Sequence, residues 1–314
     1  MRILVTFQFC KAPSLILISG LSVAFFALLS VAAQAQEPKP ESKPATGAQS
    51  KPTPALPPYP LDSVIDKQGV VITVDRNLPG IWKAQEQKLS IFVKGPKKFR
   101  QPLNAIRTIA FDHEGKLLVG DTSTRDVYRI ADDGTATPIT GGEIGIPMDI
   151  AVKPDGTIYV ADLELHKLMR IPAGSNKVEH VAEVNPRGVF VDSEGKVWVV
   201  SQDEQQLLIV GDDGQKEVIV GSRIFEFPHQ VVVNSKGEAF VSDGYKKAIW
   251  KVIRGQAPVI EFEGAPLDNP VGLALFEDQV IITDPRAAKV FKLTAENKLE
   301  VLADFSAAPA QKVR

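Results

Sequence analysis

The chain has 314 residues, 44% hydrophobic and 24% charged, with 36 Lys and Arg against 38 Asp and Glu for a formal net charge of −2. That length supports a folded body with a sizeable apolar core, and the near-neutral balance excludes a nucleic-acid binder that works by bulk charge. The single cysteine, Cys10, excludes an intramolecular disulfide, so stability has to come from burial.

Residues 1–13 carry Arg2 and Lys11 and no acid, residues 14–32 are an apolar run, and Ala33-Gln34-Ala35 supplies a small-x-small cleavage pattern. This predicts a signal peptide over 1–35 and a secreted or periplasmic protein. A run of 19 residues is also long enough to cross a bilayer, so an uncleaved segment anchoring the chain to a membrane is the alternative. Cleavage removes two cations and no acid, taking the net charge from −2 to −4.

Residues 36–59 follow as a Pro-rich disordered linker: the stretch 37–60 contains eight prolines and few apolar side chains besides alanine, too little to offset the entropy of ordering.

From there a pattern repeats. A glycine followed six residues later by aspartate occurs as Gly69/Asp75, Gly115/Asp121, Gly156/Asp162 and Gly237/Asp243, with degenerate copies at Gly195/Ser201 and Asp278/Asp284. The end positions 75, 121, 162, 201, 243 and 284 are spaced by 46, 41, 39, 42 and 41 residues. Inside each unit the apolar period is two, never 3.6. The third unit reads DIAVK, TIYVAD, KLMRI and VEHVA, and the fourth GVFVD, KVWVV, LLIVG and EVIVG. Asp-x-x-Gly turns between them suit a hairpin closed by glycine in the left-handed region. Four antiparallel strands per unit and six units predict an all-β six-bladed β-propeller over 60–305, with 306–314 as a C-terminal tail. The first and last units each contain four strands, so the ring is expected to close by packing, without exchanging a strand.

The units resemble NHL repeats: a proline, a small residue opening the inner strand, a glycine turn, a strand ending in Asp and a third strand with a basic residue. Here these are Pro147, Asp149, Gly156, Asp162 and Arg170, then Pro186, Gly188 and Gly195; prolines 60, 228 and 270 complete the set. The chain is also similar to the related gluconolactonase and senescence-marker type of six-bladed hydrolase. That resemblance implies a divalent cation such as calcium or magnesium in the central channel, held by Glu, Asn and Asp just before the inner-strand glycine. The corresponding positions here are Leu61, Arg107, Met148, Arg187, His229 and Val271. A hard cation requires oxygen ligands, so no metal or other cofactor is expected. A register slipped by one residue would instead present Asp62 and Asp149, the alternative cation ligands.

The ring positions instead suggest anion recognition, with Arg107, Arg187, His229 and Met148 at the channel mouth. His229, with an ordinary pKa of roughly 6.5, is expected to add a proton-dependent donor. The turns on the same face carry a basic rim of Lys97, Lys98, Arg125, Lys246 and Arg286. Such a face concentrates anions, and arginine binds carboxylate, phosphate or sulfate in bidentate fashion. The sequence therefore points to a monomeric binding or scaffold module for an anionic small molecule, polysaccharide or protein segment, with no nucleic-acid partner. A lactonase-like hydrolase or lyase using the same channel is the alternative; its catalytic residues are not identifiable. The repeated aspartates read as turn caps, and His113 and His180 as surface residues.

Overall fold

The computed structural model describes residues 55–312, apart from 79, 309 and 310. The signal peptide, Cys10 and nearly all of the linker lie outside the described residues. Six four-stranded antiparallel sheets form the body, each a simple meander in chain order. The inner strands are Pro60–Ile65, Ile106–Phe111, Pro147–Val152, Pro186–Val191, Pro228–Val233 and Gly272–Phe276. The outer strands are Lys88–Lys94, Ala136–Pro138, Glu179–Glu183, Lys216–Val220, Val259–Glu263 and Leu299–Asp304. Each inner strand packs against the inner strands on either side, the first against the sixth included, so the six sheets form a closed ring.

The period-two pattern explains this packing. Both faces of a blade are covered by its neighbours, so the second strands Val71–Asp75, Leu117–Asp121 and Ile158–Asp162 are buried at every residue, while the outer strands are mostly exposed or half-buried. Hairpin turns within the blades have the expected form: Gly115, Gly156, Gly195 and Gly237 have φ of +80°, +92°, +80° and +76°, and each amide closes onto the carbonyl three residues before it. In the sixth blade, where glycine is missing, Glu277 and Asp278 make a two-residue turn with φ of +50° and +64°.

Closure needs no strand exchange, as expected: Leu299–Asp304 pairs only within the sixth blade. Side chains join the seam instead. Val71, Trp82 and Ala84 of the first blade pack with Ile281, Val290 and Phe305, Trp82 meets Phe305 edge-on at 6.0 Å, and Thr283 Oγ1 lies 2.8 Å from Ser63 Oγ. Outside the ring, Ala55–Leu56 pairs with Gln311–Lys312, a two-residue clasp between linker and tail.

The repeated aspartates staple the loop face. Asp162 accepts backbone N–H groups from Gly145 and Ile146, in the loop entering its blade, and from Glu164 and Leu165, in the turn leaving its second strand. Asp75, Asp121, Asp243 and Asp284 make the same double connection. Both loop sets therefore open on one face and are held by charge-assisted bonds.

Candidate functional site

Five of the six inner strands start with a β-bulge. Pro60 pairs with Asp75 but Asp62 with Val74, leaving Leu61 as the extra residue; the same shift isolates Arg107, Met148 and Arg187, and falls at His229 and Gln230 in the fifth strand. A bulge re-aims the local side chains. It turns two consecutive residues per strand toward the axis, so the two registers considered from sequence are not alternatives; both rings line the channel.

The outer ring brings together Leu61, Arg107, Met148, Arg187, His229 and Val271 around one constriction. Above it opens a cavity of about 470 Å³, lined by Leu61, Arg76, Arg107, Met148, Leu163 and Arg187 among others, and by no acid. Arg107 is deeply set. Its Nε is buried without a hydrogen-bond partner, and burial together with repulsion from Arg187 and Arg76 lowers its pKa to about 10. Arg187 lies over the Phe227 ring, 4.7 Å from its centre. The Gln202 amide, oriented with its oxygen toward the guanidinium, accepts from Arg187 Nε at 2.7 Å and Nη2 at 2.8 Å. Among the described residues neither Arg107 nor Arg187 has a carboxylate within salt-bridge distance.

His229 departs from the sequence expectation. It is only 8% exposed, packs edge-on against Phe227 at 4.9 Å, and has a buried Nδ1 without a partner. Burial, then the charges of Arg187 and Arg107, push its pKa down to about 3. The imidazole is neutral at physiological pH and is not a proton-dependent donor: burial and both nearby charges disfavour a second proton.

One residue further along, the second ring is Asp62, Thr108, Asp149, Gly188, Gln230 and Gly272. Asp62 Oδ2 accepts from Ile109 N–H of the second blade at 3.0 Å, Asp149 Oδ2 from Val189 N–H of the fourth at 2.9 Å, and Gln230 Oε1 from Leu273 N–H of the sixth. Acceptors on alternate blades thus hold their neighbours. Thr108 Oγ1 lies 3.0 Å from Asp62 Oδ2 and 3.1 Å from Asp149 Oδ1, and Gln230 Nε2 donates to Asp149 Oδ1 at 3.0 Å. A hydroxyl carries one hydrogen, so serving two carboxyls requires one of them to be protonated. Burial raises Asp62 to about 6; burial and then the Asp62 charge raise Asp149 well above the usual carboxylate range.

The cation implied by the hydrolase resemblance does not fit these residues. The outer ring offers two guanidinium groups and one imidazole, and the carboxyl oxygens of the inner ring already face N–H and O–H donors. Among the described residues no group of three or more His, Cys, Asp or Glu is placed to hold a metal.

Small residues make room for this second ring. A Cβ on Gly188 would stand 2.6 Å from the His229 carbonyl oxygen and 2.7 Å from Gln230 Cα, both backbone. Gly188→Ala should therefore destabilise the protein by about 1–3 kcal/mol in urea unfolding, whereas Gly69→Val, whose added side chain begins in open space but at φ of +79°, should cost only its backbone strain of about 1–2 kcal/mol.

The rim is less uniformly charged than its composition. Arg125 pairs with Glu164 and Lys246 with Glu263 at 3.1 Å, while Lys97, Lys98 and Arg286 are exposed and have no ion pair among the described residues. His113 and His180 are 39% and 42% exposed at their side chains. Gln202 and Phe227 join the site although no strand period singles them out; they come from the turn leaving a second strand and the loop entering an inner one, on the face where Arg76 is also expected from sequence.

No family model matches the chain. Solved structures do resemble it in fold. Virginiamycin B lyase from Staphylococcus aureus has 14% sequence identity, covering 78% of this chain and 83% of that one, with a TM-score of 0.60. XC5397, a gluconolactonase from Xanthomonas campestris, has 15% identity, covering 77% and 95%, at 0.62. A chain of a nidogen/laminin complex has 17% identity, covering 71% and 90%, at 0.63. At such identities the likeness extends to architecture and not to one repeat family. Ring, register and likeness agree that this chain is a six-bladed β-propeller of four-stranded antiparallel blades.

Proposed function

We propose that this protein is an exported propeller that binds an anionic ligand, bearing a carboxylate, phosphate or sulfate, at the loop-face mouth of its channel. One observation carries the reading: Arg107 is half-buried beside a second guanidinium, with a buried, unpartnered Nε and no acid in the lining. A desolvated charge facing two like charges, with Asp62 only partly opposing them, is costly, and an anion between Arg107 and Arg187 offsets both the desolvation and the repulsion. Export rests on the signal pattern of residues 1–35, and action as a monomer without cofactor belongs to the same proposal.

A second reading, a hydrolase or lyase at the same mouth, is favoured by His229, a neutral imidazole set beside two arginines. Structural neighbours include a lyase and a gluconolactonase, and a variant of the virginiamycin B lyase in which one histidine is replaced by alanine is catalytically inactive. Turnover of a lactone that is lost in His229→Gln would favour this reading.

The test of the first is thermal unfolding in sulfate, phosphate and citrate against a neutral osmolyte of equal osmolality. The anions should raise the midpoint in a saturable way, by about 2.7 kcal/mol of added stability at one hundred times Kd. Equal shifts with the osmolyte would refute an anion site.

A further inference from the structure

The mouth cavity does not end over the channel. A second cavity of about 570 Å³, lined by Phe99, Arg100, Ser123, Arg125 and Glu164 among others, adjoins it along Thr122 and Ile146, which line both. Each lobe alone has the size of a small-molecule site, so one small anion at Arg107 leaves most of the groove unfilled.

The second lobe has its own chemistry. Arg100 is exposed and has no ion pair among the described residues, because Glu164, the one acid in the lobe, is bonded to Arg125. Ser123 is 8% exposed, and its hydroxyl is buried without a partner. The Phe99 ring is 67% exposed, with the Arg100 guanidinium 5.9 Å from its centre. The loop carrying both is tied down, since Asn104 donates its side-chain amide to the Pro96 carbonyl at 2.9 Å and its backbone N–H to Asp121 at 3.1 Å.

Resting on the anion-site reading, we infer that the ligand is an acidic oligosaccharide of two or more uronate-type sugars laid across both lobes. One carboxylate meets Arg107 and Arg187. A second meets Arg100, where Phe99 covers the C–H face of its ring. Arginine clusters also recognise acidic peptides, but a polyglutamate lacks a sugar C–H face for Phe99 to cover, so tetraglutamate is the competing ligand.

Calorimetry with galacturonate and its dimer, trimer and tetramer, with cellotetraose and with tetraglutamate tests this. Affinity should rise at least tenfold from monomer to trimer, and cellotetraose should not bind. Phe99→Ala and Arg100→Ala should each weaken the trimer about tenfold and leave the monomer unchanged. A trimer no tighter than the monomer, a length dependence that survives both substitutions, or tetraglutamate binding more tightly than the tetramer would each overturn the inference while leaving the anion site standing. Only failure of the monomer and of sulfate together would remove that site as well.

Discussion

The double substitution Arg107→Ala, Arg187→Ala is expected to abolish anion-dependent stabilisation and leave the unliganded protein at least as stable as wild type. Charged hydrogen bonds contribute on the order of 1.5–3 kcal/mol each, so loss of either arginine alone should weaken sulfate or citrate binding about tenfold or more. The unusual half of the prediction is the stability of the empty site. Most substitutions of a largely buried residue destabilise, but here a guanidinium whose pKa is already lowered to about 10 by burial and like charges is removed. That relief opposes the packing lost with the side chain. The measurement is urea unfolding with and without citrate: a double variant that keeps the citrate effect, or loses several kcal/mol in its absence, contradicts the account.

Asp62→Asn and His229→Gln are expected to tilt the pH profile of stability in opposite directions. The folded-state pKa of Asp62 is raised, to about 6, so the folded state holds more protons than the unfolded one between the ordinary carboxylate range and pH 6. Stability from this group is full below that window and lost as pH rises through it. His229 is depressed to about 3, so its contribution is full above the ordinary imidazole range, roughly 6.5, and is lost as pH falls toward 3. Over pH 4–6 the two slopes oppose each other, and Asp149, also raised, adds to the Asp62 slope. Each amounts to on the order of 3 kcal/mol between pH 4 and 8. Relative to wild type, the stability profile should tilt upward with pH without the Asp62 carboxyl and downward without the His229 imidazole. Unfolding at pH 4.5 and 8 in buffers free of polyvalent anions measures both, and two variants with the wild-type profile would show that neither group titrates as described.

The ring was legible because its information is local and repeated. A Gly–Asp pair sets one hairpin, six copies at even spacing count the blades, and the strand-end aspartates act as caps wherever they occur. The outer ring of channel residues was legible too, since each stands one residue beyond an aligned start such as Pro60, Pro147, Pro186 or Pro228. What escaped was geometry between units. The bulge that turns both Leu61 and Asp62 to the axis leaves no mark in a period-two pattern, so the Asp62–Thr108–Asp149 cluster read as a slipped alternative instead of a second layer. The neutrality of His229 follows from Arg187, Arg107 and Phe227, residues of three different loops and strands, and Gln230 carries no signal at all until its neighbours are in place.

The most direct measurement is diffraction from crystals soaked in selenate, located by its anomalous signal. One ordered anion is expected between the Arg107 and Arg187 guanidinium groups, absent from the double alanine variant. Selenate found only beside Lys97, Lys98 or Arg286 on the rim, with nothing at the channel mouth, would contradict it.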